Sequence, residues 1–367
     1  MAIDRRSFVL GVAAFATGAV AADRSGADTR RAVIGATVKR RDGSYAAVLY
    51  DIDKGLLTSA ALPARGHDLA LNRRTGDVVA FARRPGTFAI AFNEDRSRAP
   101  AAFSTPPGRH FYGHGVFSRD GRRLYTSEND YTSAKGVIGI WSAPDYRRIG
   151  EWPSFGLGPH DLNLLSDDRT LVVANGGILT HPEHGRRSLN LATMAPSLAY
   201  IDRETGELRE QHVLPKALHK LSIRHLEIGT RDTVVFGCQH KGPNSEQFGL
   251  IGLHRRGEKI DLMPSDPVVA RALRNYVSSV GVNRDGTVAG VTSSRGGQVV
   301  FVDIVARKFI GLDALTDVSG IAADPRSSGF VLTSGYGRVQ MADVRSKTQA
   351  ELGVTDWAWD NHAMTCW

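Results

Sequence analysis

From about residue 32 to the end of the chain, short apolar stretches alternate with polar positions and are separated by turn-forming residues. Ala46-Val48-Tyr50, Val78-Ala80, Leu124-Tyr125-Thr126, Leu171-Val172-Val173, Val234-Val235-Phe236 and Val299-Val300-Phe301 are examples. Between such stretches stand Arg74-Thr75-Gly76-Asp77, Arg119-Asp120-Gly121-Arg122, Ser166-Asp167-Asp168-Arg169, Glu204-Thr205-Gly206-Glu207 and Arg284-Asp285-Gly286-Thr287. Asp-Gly and Thr-Gly pairs are hairpin chemistry, because glycine takes positive φ without steric cost. Apolar spacing of helical period is almost absent past residue 21. The pattern predicts an all-β chain of short strands.

The strands recur with a long period. "GHDLALNRRTGDVVAFA" starts at Gly66, "GHGVFSRDGRRLYTSEN" at Gly113, "PHDLNLLSDDRTLVVAN" at Pro159 and "RHLEIGTRDTVVFGCQ" at Arg224. "SVGVNRDGTVAGVTSS" follows at Ser279, "SGIAADPRSSGFVLTSG" at Ser319 and "NHAMTCW" at Asn361. Their second positions are 67, 114, 160, 225, 280, 320 and 362, with gaps of 47, 46, 65, 55, 40 and 42. Seven four-stranded units of this size predict a seven-bladed β-propeller. The seventh unit has only its opening strand, and three strands near the N-terminus, at 32–39, 45–51 and 57–62, have no opener. Together they predict a last blade closed by N-terminal strands plus the C-terminal strand, which leaves no open edge.

The gap of 65 belongs to the third unit. Residues 176–196, which include His181 and His184, form an insert between its second and third strands. Loops of that length in a compact domain are usually functional or disordered. Ile178, Leu179, Leu189, Leu191 and Met194 carry apolar surface to bury, so a lid over the mouth of the central channel is expected.

The 367 residues, 42% hydrophobic and 23% charged, are enough for one large all-β domain with a full core. The formal charge is +8, yet its arginines come in scattered pairs with no basic run of five. Nucleic-acid binding is therefore not expected, and the charge reads as solubility with a mild attraction for anions. At the N-terminus, Arg5-Arg6 precedes an apolar stretch that runs to Val20, and Ala19-Val20-Ala21 has the form of a cleavage site. This predicts a twin-arginine signal peptide at 1–21, a single propeller domain at 22–367 and a periplasmic location. The stretch is too short and too rich in Gly and Ala to span a membrane, and no span is expected after cleavage. Cys238 and Cys366 fall in blades on opposite sides of such a ring, so two buried free thiols are expected in preference to a disulfide. A monomer is expected.

Several of these segments carry a family resemblance. Arg5-Arg6, Gly113-His114-Gly115, His160-Asp161, Asn175-Gly176-Gly177-Ile178, His181-Pro182, Leu189-Asn190, Met194-x-Pro196-Ser197-Leu198, Arg224-His225-Leu226 and Asp360-Asn361-His362 carry it. Through them the chain resembles a family of twin-arginine-exported propellers of unassigned function, found with imelysin-type iron-uptake proteins. The resemblance covers essentially the whole mature chain. It implies the propeller fold and an iron-linked setting with imelysin-type partners, but no reaction. "HGVFSRDGRRLYTSEN" is also similar to lactonase-like and surface-repeat propellers, a generic match that identifies no substrate.

Candidate chemistry follows from the repeat. Opening strands of a propeller line its channel, and His67, His114, His160, His225 and His362 all sit near their starts. The ends of the second strands return to the same face with Glu128-Asn129-Asp130, Asn175, Gln239-His240, Ser294-Arg295 and Tyr336. Neutral imidazole is a common ligand of iron, copper and zinc. The expected metal ligands are His114, His160, His225, His362, His67 and His181. A Gly-His pair can equally hydrogen-bond within its own blade, but the units opening at Ser279 and Ser319 lack the histidine, which favours a site on one side of the channel. Asp68 and Asp161 directly follow a histidine, and strand alternation turns them away from it, toward backbone N–H groups that tie blades together. Lys39-Arg40 and Arg83-Arg84 give the rim a basic side, suited to an anion such as a carboxylate-chelated metal.

No serine nucleophile elbow, Cys-x-x-Cys, haem-attachment motif or phosphate loop is present. The expected function is a periplasmic metal-binding or metal-handling propeller linked to iron uptake. The alternatives are a metal-dependent enzyme, of lactonase-type hydrolase or oxidase class, with Glu128 or Asp130 as the base, and a protein-interaction scaffold without metal.

Overall fold

In the computed structural model, which describes residues 31–366, seven antiparallel four-stranded sheets form a ring: the chain is a seven-bladed β-propeller. The channel strands of blades 1 to 7 are Gly66–Leu71, Arg109–Phe117, Pro159–Leu164, Leu221–Gly229, Ser279–Val282, Val318–Ala323 and Ala358–Thr365. The last of these pairs with Val33–Lys39, matching Val38 to Trp359 and Ile34 to Thr365, and Tyr45–Asp51 and Gly55–Leu62 complete that sheet. The closure expected from the strand count is the one observed. The twin-arginine segment lies outside the described residues.

Within a blade, burial follows strand position. The second strands, such as Asp77–Ala82 and Thr170–Asn175, are buried throughout, because both faces pack on neighbouring blades. The outermost strands Arg148–Pro153 and Leu208–Val213 alternate half-buried with exposed positions, as edges facing water do. The largest apolar cluster runs through blades 3 to 5, from Val172 through Phe236 to Val302. Side-chain amides bridge blades at the turns: Asn72 Nδ2 donates to the carbonyl of Gly121 (2.9 Å), and Asn283 Nδ2 to that of Ser328 (3.1 Å). Cys238 and Cys366 are both buried and free.

One element departs from the sequence expectation. The helix Pro267–Leu273 fills the connection from blade 4 to blade 5, with Pro at its start and the Asp266 side chain accepting from the N–H groups of Val268 and Val269. A capped single-helix segment of this length has too few apolar positions to stand out as a periodicity. It holds Tyr276 beside the channel mouth, stacked under Arg295 at 4.3 Å.

Candidate metal centre

The channel strands are not regular. Pairing with the second strand shifts register between Gly66 and Leu69, Phe111 and Gly115, Pro159 and Asp161, and Ile223 and His225. The closing strand shifts between Ala36 and Val38, beside Asp360 to His362. The two blades without a histidine differ: blade 5 is unbroken, whereas blade 6 shifts between Val318 and Gly320. A β-bulge re-aims side chains and lets consecutive residues approach the same face. Each channel histidine therefore sits at a bulge.

The result is a cluster of five rings. His67, His160, His225 and His362 surround His114, whose ring centroid lies 4.8, 4.9, 5.6 and 4.8 Å from theirs, respectively. All five are 1–5% exposed, so no bulk water satisfies them. Two triads, His67–His114–His362 and His114–His160–His225, place one ligand atom from each member within 4.8 Å of the others. Each ring leaves a buried nitrogen without a hydrogen-bond partner: Nδ1 of His67, His160 and His225, and Nε2 of His114 and His362. An unsatisfied buried polar atom costs roughly 1–3 kcal/mol, so five together are an arrangement that wants a ligand.

Two of the second nitrogens, those of His114 and His362, have partners. His114 Nδ1 donates to Asp68 Oδ2 (2.8 Å) and lies 3.3 Å from Asp161 Oδ1, while Ser279 Oγ hydrogen-bonds His362 Nδ1 at 2.9 Å. A carboxylate behind a histidine fixes its tautomer and raises its basicity as a ligand. Asp68 and Asp161 thus correct the expectation from strand alternation, since the bulges turn both toward His114. Asp161 also ties blades as expected, its Oδ2 accepting from Leu226 N at 3.0 Å.

Burial pushes His67, His160 and His225 well below the ordinary imidazole range, and His362 to about 3. Burial opposes charge on His114 as well, but Asp161 and Asp68 outweigh it and raise its pKa. Four neutral rings and one carboxylate-backed ring are a donor set for a cation, and they would repel one another if all were charged.

Gly113 makes the cluster possible. Its φ is +109°, and a Cβ there would collide with the ring of His67. Gly113→Ala is expected to cost about 1–3 kcal/mol from strain and to displace His67, read as a lower melting temperature together with weaker metal binding.

The cluster divides the channel. On one side lies a cavity of about 570 Å³ lined by Asp68, Asp161 and Glu227 beneath His225 and His362. Burial raises Asp161 to about 6 and Glu227 to about 7. Their folded-state values lie above the unfolded ones, so the stability they contribute is complete below about pH 4 and is lost as pH rises through about 6 and 7. Glu227→Gln, which keeps the acceptor used by Asn163 Nδ2 (2.8 Å), is expected to melt higher than the parent at pH 8 but not at pH 4. On the other side, where the second strands return, the lining is cationic.

The remaining expected site residues lie elsewhere. His181 stays in the insert, its Nδ1 accepting from Glu183 N (3.4 Å), with Tyr131 and His184 as ring neighbours. It caps a short 3₁₀ turn and does not reach the cluster. His240 pairs with Glu246 (3.0 Å), and Tyr336 is 70% exposed. Glu128 is fully buried and held by Arg148 Nη1 at 2.8 and 3.0 Å, and Asp130 caps its hairpin through Ser133 N (2.9 Å). Neither carboxylate is among the residues around the histidines. Asp68 and Asp161 occupy the place expected of them. In the insert, Ile178 and Met194 are buried, but Leu189 and Leu191 are each 40% exposed, and Ile178 and Arg186 border the mouth. A third His and carboxylate cluster among the described residues, Glu210–His212–His254, offers less. His254 has both nitrogens engaged, by Tyr200 Oη at 2.5 Å and the Glu258 carbonyl at 2.9 Å.

A family model described as "Protein of unknown function (DUF1513)" matches residues 60–366. No curated protein matches the sequence. Among solved structures, Kuenenia stuttgartiensis hydrazine synthase is similar at 14% identity and a TM-score of 0.58, over 86% of this chain and 93% of that one. A chain in the crystal structure of the mitotic checkpoint complex is similar at 11% identity and a TM-score of 0.59, over 80% and 79%. Identities this low speak for the fold alone.

Proposed function

The chain belongs to this DUF1513 family of unknown function, and on the chemistry of its channel we propose that it is a metal-binding propeller holding one transition-metal ion among its buried histidines. The observation that carries the reading is the set of five buried ring nitrogens without partners. One ion is the stoichiometry, because both triads need His114 and its Nδ1 is already held by Asp68. Imidazole donors backed by carboxylate suit iron, copper or zinc. The N-terminal twin-arginine pattern and the family resemblance support a periplasmic setting and a role in iron handling beside imelysin-type partners.

The test is elemental analysis of protein purified from its native compartment. About one equivalent of iron, copper or zinc per chain, retained through dialysis, supports the reading. A metal-free chain that also fails to take up any of the three on titration would sink it.

A second reading, a metal-dependent hydrolase or oxidase, is favoured by one observation. Asp161 lies between the histidines and a cavity of about 570 Å³, a carboxylate placed as a general base beside a space of ligand size. Glu128 and Asp130 no longer serve that reading.

A further inference from the structure

The side of the histidine cluster that faces the mouth is built for the opposite charge. Arg83, Arg84, Arg186, Arg224, Lys241 and Arg295 line two connected spaces there, and no Asp or Glu is among the lining residues described. The outer space is about 390 Å³, and a throat of about 20 Å³ continues inward to His67, His160 and His225. Some of this charge is compensated from behind, since Arg83 lies 3.4 Å from Asp360. Lys241 Nζ has only a neutral acceptor, Gln239 Oε1, at 2.8 Å.

Arg224 is the decisive residue. It is 3% exposed, and its Nε and Nη1 are buried without a hydrogen-bond partner. An isolated buried guanidinium is costly, and cations arranged this way normally face an anion. A guanidinium is basic enough to remain charged at neutral pH even when buried.

We propose that this chamber binds a small multivalent oxyanion, of carboxylate or phosphate class, with Arg224 at its inner end and Arg84, Arg186 and Lys241 around it. A guanidinium presents a planar fork that matches the paired oxygens of both classes. The outer space holds an anion of several heavy atoms, whereas the throat admits little more than one oxygen-bearing group. Such an anion would lie directly against the histidines, so the site supplies a charged co-ligand or substrate to whatever they hold. The assignment rests on the arginines and does not need the metal.

The experiment is therefore run on the full chain after dialysis against EDTA, at low salt. Citrate, inorganic phosphate and acetate are titrated separately by calorimetry and by thermal melting. Citrate or phosphate is expected to bind and raise the melting temperature, acetate to do so far less, and the stronger of the two identifies the class. Arg186→Gln, at an exposed position, is expected to weaken binding at least tenfold without changing the fold. Arg224→Met is expected to abolish the anion-dependent rise while leaving the anion-free chain as stable as the parent or more so, because it removes an unpaired buried charge. No binding of either multivalent anion overturns the proposal. So does binding that survives both substitutions, or an Arg224→Met chain that is simply less stable with and without anion. A failure of metal uptake leaves all of these readings unaffected.

Discussion

His114→Ala is expected to leave the channel without metal, taking a chain that holds about one equivalent to background. It is the only member common to both histidine triads, so its loss breaks both at once. His67 and His362 would keep two ligands on one side, and His160 and His225 two on the other. Two imidazoles without a third protein ligand hold an ion weakly, as sites of this kind use three or four. Asp68→Asn tests the same geometry more gently. The amide still faces His114 Nδ1 but accepts a weaker bond, and loss of such a supporting group typically costs about 10–100-fold in metal affinity. His181→Ala is the control and is expected to keep the full equivalent, since His181 caps its own turn in the insert. The measurement is metal per chain on the monodisperse folded fraction, with a melting curve beside it. Full occupancy in His114→Ala would falsify the assignment of that residue. Loss of stability in both His114→Ala and His160→Ala, with no metal in the parent, would make the rings structural.

The fold was largely legible because a propeller repeats its own pattern. The seven openers, the turn residues between strands and the incomplete units at the two ends all lie within single segments of sequence, and they lead to the observed ring and its closure. Five of the six expected metal ligands share one repeat position, and that position is what brings them together. His181 has no such position, only proximity in sequence to the insert. What alternation cannot encode is a bulge. Asp68 and Asp161 reach His114 because the register slips beside them, and nothing in His-Asp as a dipeptide announces the slip. Arg224 sits next to a channel histidine, but its isolation from any carboxylate is a property of the assembled mouth, where residues from blades 1, 4 and 5 and the insert converge. The helix at Pro267–Leu273 was signalled locally by Asp266-Pro267, a cap followed by a proline.

Glu128 shows the same limit, and it leads to the second large effect: Arg148→Met is expected to destabilise the chain by about 3–5 kcal/mol. Its position at the end of a second strand suggests the channel mouth, but the face it takes is set by register. It pairs opposite Phe111 and Val137, within a blade face that also carries Trp141, and Gly139 beside it leaves room for the carboxylate. There Glu128 Oε1 accepts from Thr126 Oγ1 at 2.7 Å, and Trp141 Nε1 donates to that hydroxyl at 2.9 Å. Arg148 grips both carboxylate oxygens and lies over the Trp141 ring at 5.2 Å. Burial already pushes the Glu128 pKa up against the pull of Arg148. Without the guanidinium the carboxyl would be raised further, and its charged form would stand unpaired in the interior. The loss is therefore expected to be larger at pH 8 than at pH 5, because a raised folded-state pKa makes stability fall as pH rises through it. Replacing both partners, Glu128→Met with Arg148→Met, is expected to recover most of the loss, since an apolar pair leaves no buried charge. Chemical denaturation at the two pH values measures all three chains. Metal content should stay at one equivalent in each of them, which separates a structural ion pair from a catalytic base. Equal loss at both pH values, or a double variant no better than Arg148→Met, would show that Glu128 is not the buried charge this pairing implies.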